Sequence, residues 1–234
     1  MQALVLDGIQ QPLQLRDVPT PQPGPDEVLV ELRAAALNHR DVWIQKGQYA
    51  GLRFPCILGS DGAGVVVAVG SAAPAELLHQ EVVINPGQGW GDNPAAQART
   101  FTILGLPAQG TFAEYVVVPA RYLYPKPAHL SFAQAAALPL GGVTAYRATF
   151  TRAGLRPDER VLITGVGGGV ALLALQMAVA VGAEAWVTSG SAAKIERAVA
   201  LGARGGASYH APKWAEELVQ RAGGPFDVIV DSAA

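Results

Sequence analysis

An α/β chain, with a β-rich N-terminal domain followed by a partial doubly wound parallel sheet, is predicted by three features of this sequence. Residues 160–191, RVLITGVGGGVALLALQMAVAVGAEAWVTSGS, read as a buried strand, a glycine-rich turn, a helix and a second strand. Ahead of them, prolines at 19, 21, 23, 25, 55, 86, 94, 107 and 119 forbid long helices. After residue 131 the pattern alternates between short apolar β-branched runs and helix-favouring stretches. The domains are expected to be 1–125 and 126–234.

In chain order, strands are expected at 3–6, 28–34, 64–69, 81–84 and 113–118, where β-branched and apolar residues run between breakers. The segment 86–110 has little periodicity and reads as an extended surface lobe, its length pointing to function or assembly or to a tolerated insertion. Asp41 is expected to cap a short helix through Val42, Trp43 and Ile44. Ser131 is placed to cap a helix starting at Phe132, rich in alanine. A second helix is expected from about Gly142 to Gly154. Strands at 161–163, 185–188, near 207–209 and at 228–230 then alternate with helices at 170–181, 192–201 and 215–222. Four parallel strands are fewer than the six or so of a full doubly wound dinucleotide fold, so the chain is expected to be a truncated form of a longer protein.

The glycine turn after the strand at 161–163 aims backbone N–H groups and the positive end of a helix at a phosphate. The literal G-x-G-x-x-G is absent, since Val170 follows Gly165 and Gly167 where a third glycine would fall. In the alternative register Gly168 approaches the phosphates, Ala171 packs helix on strand, and Val166 takes the place of the first glycine. Gly165, Gly168, Gly169 and Val170 are the resulting candidate cofactor contacts.

Composition excludes several classes. Half of the residues are hydrophobic and 15% charged, which describes a globular protein rather than a disordered one. The net charge of −2, with no Lys/Arg run, gives no footprint for nucleic acid or an anionic membrane surface. Cys56 is the single cysteine, so no internal disulfide or multi-cysteine zinc site can form, and it is expected to be a packed core thiol. The N-terminus lacks the pattern of a secretory signal, and the longest apolar segment, 170–181, is too short to span a bilayer, so a cytoplasmic location is expected.

Five further segments add to the glycine turn: PGPDEVLVELRAAALNHRD at 23–41, FPCILGSDGAGVVVAVG at 54–70, GTFAEYVVVPA at 110–120, LPLGGVTAYRAT at 138–149 and LGA at 201–203. Together they resemble the medium-chain dehydrogenase/reductase superfamily, in particular its zinc-independent quinone oxidoreductase branch. The resemblance implies a GroES-like N-terminal domain, a Rossmann cofactor domain and a small-molecule substrate held in the cleft between them. It also implies a homodimer for the full-length form.

In zinc-dependent members of that superfamily, a cysteine, a His-Glu pair and a last cysteine or histidine surround the metal. The matching residues here are Asn38, Ser60-Asp61 and Leu140, and 86–110 lacks the four cysteines of the structural zinc lobe. Zinc takes N, S or carboxylate ligands, which an amide, a hydroxyl and an isobutyl group do not replace. His39 stands alone, without matching partners. No metal is therefore expected. Arg40 occupies the place of the Ser/Thr proton relay of the zinc alcohol dehydrogenases, which speaks against alcohol oxidation.

The cofactor expectation rests on the end of the second parallel strand. An NAD-preferring unit carries Asp or Glu there, about 20 residues past the glycine turn. This chain reads Thr188-Ser189-Gly190-Ser191, with Lys194 following. Ser189 and Ser191 can donate hydrogen bonds and Lys194 supplies positive charge. The resemblance adds that NADPH-binding quinone oxidoreductases place a lysine at Lys194 and a tyrosine at Tyr209, so NADPH is the expected cofactor. By the same resemblance Asn38 lies near the nicotinamide, Tyr49 borders the substrate cleft and could donate to a carbonyl, and Thr144 binds near the nicotinamide and pyrophosphate. The activity implied is NADPH-dependent reduction of a quinone, an α,β-unsaturated carbonyl or a similar small electrophile, although the truncated form could be inactive. The alternatives are a zinc-independent enoyl-thioester reductase and a catalytically silent NADPH-binding sensor or scaffold.

Overall fold

A computed structural model describes residues 1–232 of the chain. Two compact units are present, Met1–Leu140 and a second beginning at Gly141. No helix among the described residues is long and apolar enough to cross a membrane.

The first unit contains strands β1 (Gln2–Leu6), β2 (Gln14–Asp17) and β3 (Glu27–Ala36), helix α1 (His39–Gln45), and strands β4 (Cys56–Ile57), β5 (Asp61–Val69) and β6 (Glu81–Ile84). Strands β7 (Gly87–Gln88), β8 (Thr102–Ile103), β9 (Tyr115–Pro119) and β10 (Leu123–Pro125) and helix α2 (Phe132–Ala136) follow. A five-stranded antiparallel sheet runs β10-β6-β5-β3-β9, a three-stranded one β2-β1-β4, and β7 pairs with β8. Alternation explains the main core: Val28 and Val30 of β3 meet Val66, Val82, Ile84, Val116 and Val118, all buried. Each such valine or isoleucine contributes roughly 1.5–3 kcal/mol of burial.

The predicted strands of this unit are present with shifted ends. Ala113 makes only an isolated bridge to Ala3, and the strand expected from 113 begins at Tyr115. β2 leaves no signal in the sequence, because QLRD is polar and the strand is exposed on the sheet edge. The lobe at 86–110 contains the short β7–β8 ribbon, too brief to leave a periodic pattern. Ser131 caps α2 as expected: its Oγ accepts from the Gln134 N–H at 3.3 Å, and Gln134 Oε1 accepts from the Ser131 N–H at 3.0 Å.

Helix α3 (Pro139–Tyr146) begins three residues before the expected Gly142, with Pro139 suited to a first helical position, and continues as a π-helical stretch over Arg147–Arg152. Then come β11 (Arg160–Ile163), α4 (Gly169–Ala180), β12 (Glu184–Ser189), α5 (Ala192–Ala200), β13 (Gly205–Ser208), α6 (Trp214–Arg221) and β14 (Val228–Val230). The strands form a parallel sheet in the order β13-β12-β11-β14, which reproduces the 3-2-1-4 portion of a doubly wound dinucleotide fold.

At β11 and β12 both faces of this sheet are covered, which is why these strands read as continuous apolar runs, whereas Ile229 on edge strand β14 is exposed. Val161 and Ile163 pack in a cluster with Ala171, Ala174, Leu175 and Ala178 of α4. Leu162, pointing the other way, joins Trp186, Leu218 and Ala222. β13 ends at Ser208, opposite Ser189, so Tyr209 lies just beyond the strand rather than in it.

Candidate functional site

In the first unit, Asn38 and Leu140 converge on the carboxylate of Asp61. Asn38 ends the loop after β3, and its side-chain amide donates to Asp61 Oδ2 at 3.0 Å. The Leu140 N–H donates to Asp61 Oδ1 at 2.8 Å. Asp61, at the start of β5, is 1% exposed. Burial pushes its carboxyl up to about 6, against the lowering pull of the Asn38 and Leu140 hydrogen bonds, while neighbouring Asp41 adds to the rise. Among the described residues, no group of three or more His, Cys, Asp or Glu is arranged to hold a metal ion. His39 is exposed at the first position of α1.

Asp41 does not stand at the N-cap, as expected from sequence, but at the third helical position. Its carboxylate accepts from the Asn38 N–H at 2.9 Å and from the Gly59 N–H at 3.3 Å. The helix starts earlier because Asn38 takes the extended cap conformation.

Arg40 is buried beside this cluster and, among the described residues, hydrogen-bonds to no carboxylate. Its guanidinium donates to Tyr49 Oη (3.1 Å), Ser60 Oγ (3.0 Å) and the carbonyls of Leu104 (3.0 Å), Ile103 (3.2 Å) and Leu106 (3.1 Å). These bonds fasten the end of the 86–110 lobe to α1. Because Tyr49 Oη accepts from Arg40, its own hydroxyl hydrogen is left to donate. Arg40 and Tyr49 line a cleft of about 530 Å³ together with Gln48, Arg53, Gln97 and Phe101. Cys56 is buried, as expected, and burial raises its thiol pKa despite the Arg40 charge.

In the second unit, β11 runs into the glycine turn. Gly165 has φ +62° and its N–H reaches Thr188 Oγ1 at 3.2 Å, while the Val166 N–H donates to the Thr188 carbonyl at 2.8 Å. Val166 and Ala171 are buried in the helix–sheet core. Gly168 is the N-cap of α4, and no side chain caps that end. The first N–H groups of a helix have no intrahelical acceptor. A Cβ on Gly169 would meet no atom within 4 Å, and one on Gly168 only the Gly165 carbonyl at 4.0 Å, so space is open over the helix end, which Gly169 and Val170 begin.

Beyond the turn, the adenosine-side candidates gather at the C-terminal end of β12. Gly167 has φ +127°, a conformation that L side chains rarely adopt, and the point where its Cβ would stand is 2.7 Å from Lys194 Cδ. Lys194, on the first turn of α5, therefore lies across the glycine turn. A Cβ on Gly190 would lie 2.7 Å from Tyr209 Oη and 2.8 Å from His210 Nε2. Ser191 is the N-cap residue of α5. Ser189 is buried and its Oγ accepts from the Ser191 N–H at 3.2 Å, so it is the less open of the two serines. Thr144 is exposed on α3. Sequence reasoning missed Gly190 and His210; the signal was a glycine between two serines and a histidine directly after the candidate tyrosine. Arg40 carries no local sign of its role, since the three carbonyls it binds lie more than sixty residues away in the lobe.

Residues 24–128 match the alcohol dehydrogenase GroES-like domain family. The chain is 38% identical over 237 residues to a zinc-type alcohol dehydrogenase-like protein of Leptosphaeria maculans, covering 95% of this chain and 66% of that protein. Among solved structures, an NAD-dependent alcohol dehydrogenase superposes with a TM-score of 0.93 at 43% identity, over 99% of this chain and 70% of that one. The quinone oxidoreductase from Coxiella burnetii superposes with a TM-score of 0.84 at 28% identity, over 100% of this chain and 69% of that one. The chain thus spans about two thirds of the length of these proteins.

Proposed function

The chain belongs to the medium-chain dehydrogenase/reductase superfamily, and from that membership we propose that it serves an NADPH-dependent oxidoreductase. Its substrate class is a quinone, an α,β-unsaturated carbonyl or a similar small electrophile, reduced without zinc. The observation that carries the cofactor reading is the end of β12, where Lys194 lies over Gly167, Tyr209 over Gly190, and Val187 to Lys194 contain no carboxylate. A carboxylate there would repel a 2′-phosphate, whereas a lysine attracts one. The NAD-dependent name of one similar structure belongs to that protein; the serine-rich, acid-free strand end here favours the phosphorylated cofactor.

Gly165, Gly168, Gly169 and Val170 would hold the pyrophosphate, because the uncapped end of α4 offers N–H donors, a positive dipole end and open space. When bound, the nicotinamide supplies the hydride, so the protein must chiefly orient the reactants and stabilise charge on the acceptor oxygen. Tyr49 is suited to the second of these roles, because the guanidinium on its oxygen polarises the O–H, which is free to donate to a carbonyl. Asn38, held by Asp61 through one N–H, retains its second N–H for positioning substrate or cofactor. Zinc independence is supported by the donor set, since the Asn38 amide hydrogen-bonds to Asp61 and Leu140 offers no side-chain ligand.

Turnover tests the reading. The protein, freed of metal with a chelator, should oxidise NADPH in the presence of 9,10-phenanthrenequinone or a 2-alkenal. Activity that requires added zinc, or oxidation of simple alcohols as the main reaction, contradicts it; consumption with crotonyl-CoA alone redirects it to an enoyl-thioester reductase.

A further inference from the structure

We propose that His210 is a third arm of the 2′-phosphate site, acting beside Lys194 and Tyr209 to set the preference for the phosphorylated cofactor; this rests on the NADPH reading above.

The geometry begins with Gly190. The point where its Cβ would stand is 2.7 Å from Tyr209 Oη and 2.8 Å from His210 Nε2, so a phenol hydroxyl and an imidazole nitrogen flank one position. That position follows Ser189, at the C-terminal end of β12, where parallel sheets of this kind receive their ligand. The two rings are held edge to face, with centroids 4.5 Å apart and an interplanar angle of 67°. A short turn fixes the histidine backbone, whose N–H donates to Ser208 Oγ at 3.3 Å. Both rings are exposed, so a ligand can reach them.

The surrounding charge favours an anion. From Val187 to Lys194 and from Arg204 to Lys213 the chain carries no Asp or Glu, whereas Lys194, His210 and Lys213 all bear basic groups. A phosphate monoester presents three acceptor oxygens, which one lysine and one tyrosine do not exhaust. An imidazole N–H supplies the further donor, and its planar ring fixes the direction of that bond better than a flexible lysine does. The consequence is specific to the 2′-phosphate: NADH, which lacks it, gains nothing from His210.

The test is binding rather than turnover. NADPH and NADH are titrated calorimetrically into the chain and into His210→Ala and His210→Gln variants, with thermal melting as a check on folding. Expected results are tighter wild-type binding of NADPH than NADH, about tenfold weaker NADPH binding by His210→Ala with NADH affected less than about twofold, and partial recovery by His210→Gln, whose amide restores a donor. Equal weakening of both cofactors, or no change in NADPH binding while the wild type still prefers NADPH, overturns the role of His210 and leaves the cofactor reading intact. A wild type that binds NADPH no better than NADH, or binds neither, overturns the cofactor reading and this inference together.

Discussion

Around Asp61 one N–H of the Asn38 amide, the N–H of Leu140 and, nearby, the guanidinium of Arg40 are spent on partners inside the first unit. Around Gly167 the polar groups face the other way: α4 begins without a side-chain cap, Gly168 and Gly169 border open space, and Lys194 and Tyr209 are exposed. One polar cluster is largely satisfied internally and the other is unfinished. Buried polar residues at a family's metal position can thus serve the fold once their hydrogen bonds are satisfied internally, while donors left unsatisfied at a helix end point to a ligand.

Opening the satisfied cluster should have the largest effect. Arg40→Ala removes donors from Ser60 Oγ and the carbonyls of Ile103, Leu104 and Leu106, and leaves Leu104 and Leu106 buried. Unfolding in urea should show a loss of about 3 kcal/mol or more. Arg40→Lys should recover only part, because an ammonium cannot fork to both sides of the lobe. A loss below about 1 kcal/mol would mean that water replaces these bonds.

A second effect in the same cluster runs through pH. Asp61 titrates at about 6 in the folded chain against an ordinary value of 3.8, so the folded state holds the proton more tightly than the unfolded one. Its contribution to stability is therefore fully present below about pH 4 and is lost as pH rises through about 6. The change is on the order of 3 kcal/mol. Asp61→Asn should flatten the stability profile between those values; an unchanged slope would place the titration elsewhere. On the open side, Lys194→Ala should weaken NADPH binding about tenfold and NADH binding by less than about twofold, the modest size following from solvent screening of an exposed lysine. Equal effects on both cofactors would make Lys194 a packing residue over Gly167.

Much of this contrast is legible in the sequence. The glycine turn, the acid-free TSGS end of β12 and the Ser131 box are local patterns, so their chemistry sits within a few residues. The parallel strands are equally plain, because burial on both faces leaves runs such as Val161-Leu162-Ile163. What the sequence hides is set by distance or brevity. The guanidinium of Arg40 is satisfied by carbonyls more than sixty residues later, and no pattern around residue 40 encodes that. An acid before an apolar run fits an N-cap, which is the expectation for Asp41; the extended conformation of Asn38 moves the helix start and leaves Asp41 completing the cap from inside. His210 has no sequence signal strong enough to mark it, because only the close approach of two rings to Gly190 brings it to the strand end.

The cofactor preference of the open cluster stands or falls on a calorimetric titration of the wild-type chain with NADPH and with NADH under identical salt. Binding of NADPH at least about tenfold tighter than NADH, at one site per chain, is the predicted result. Equal affinity, or tighter binding of NADH, would contradict it.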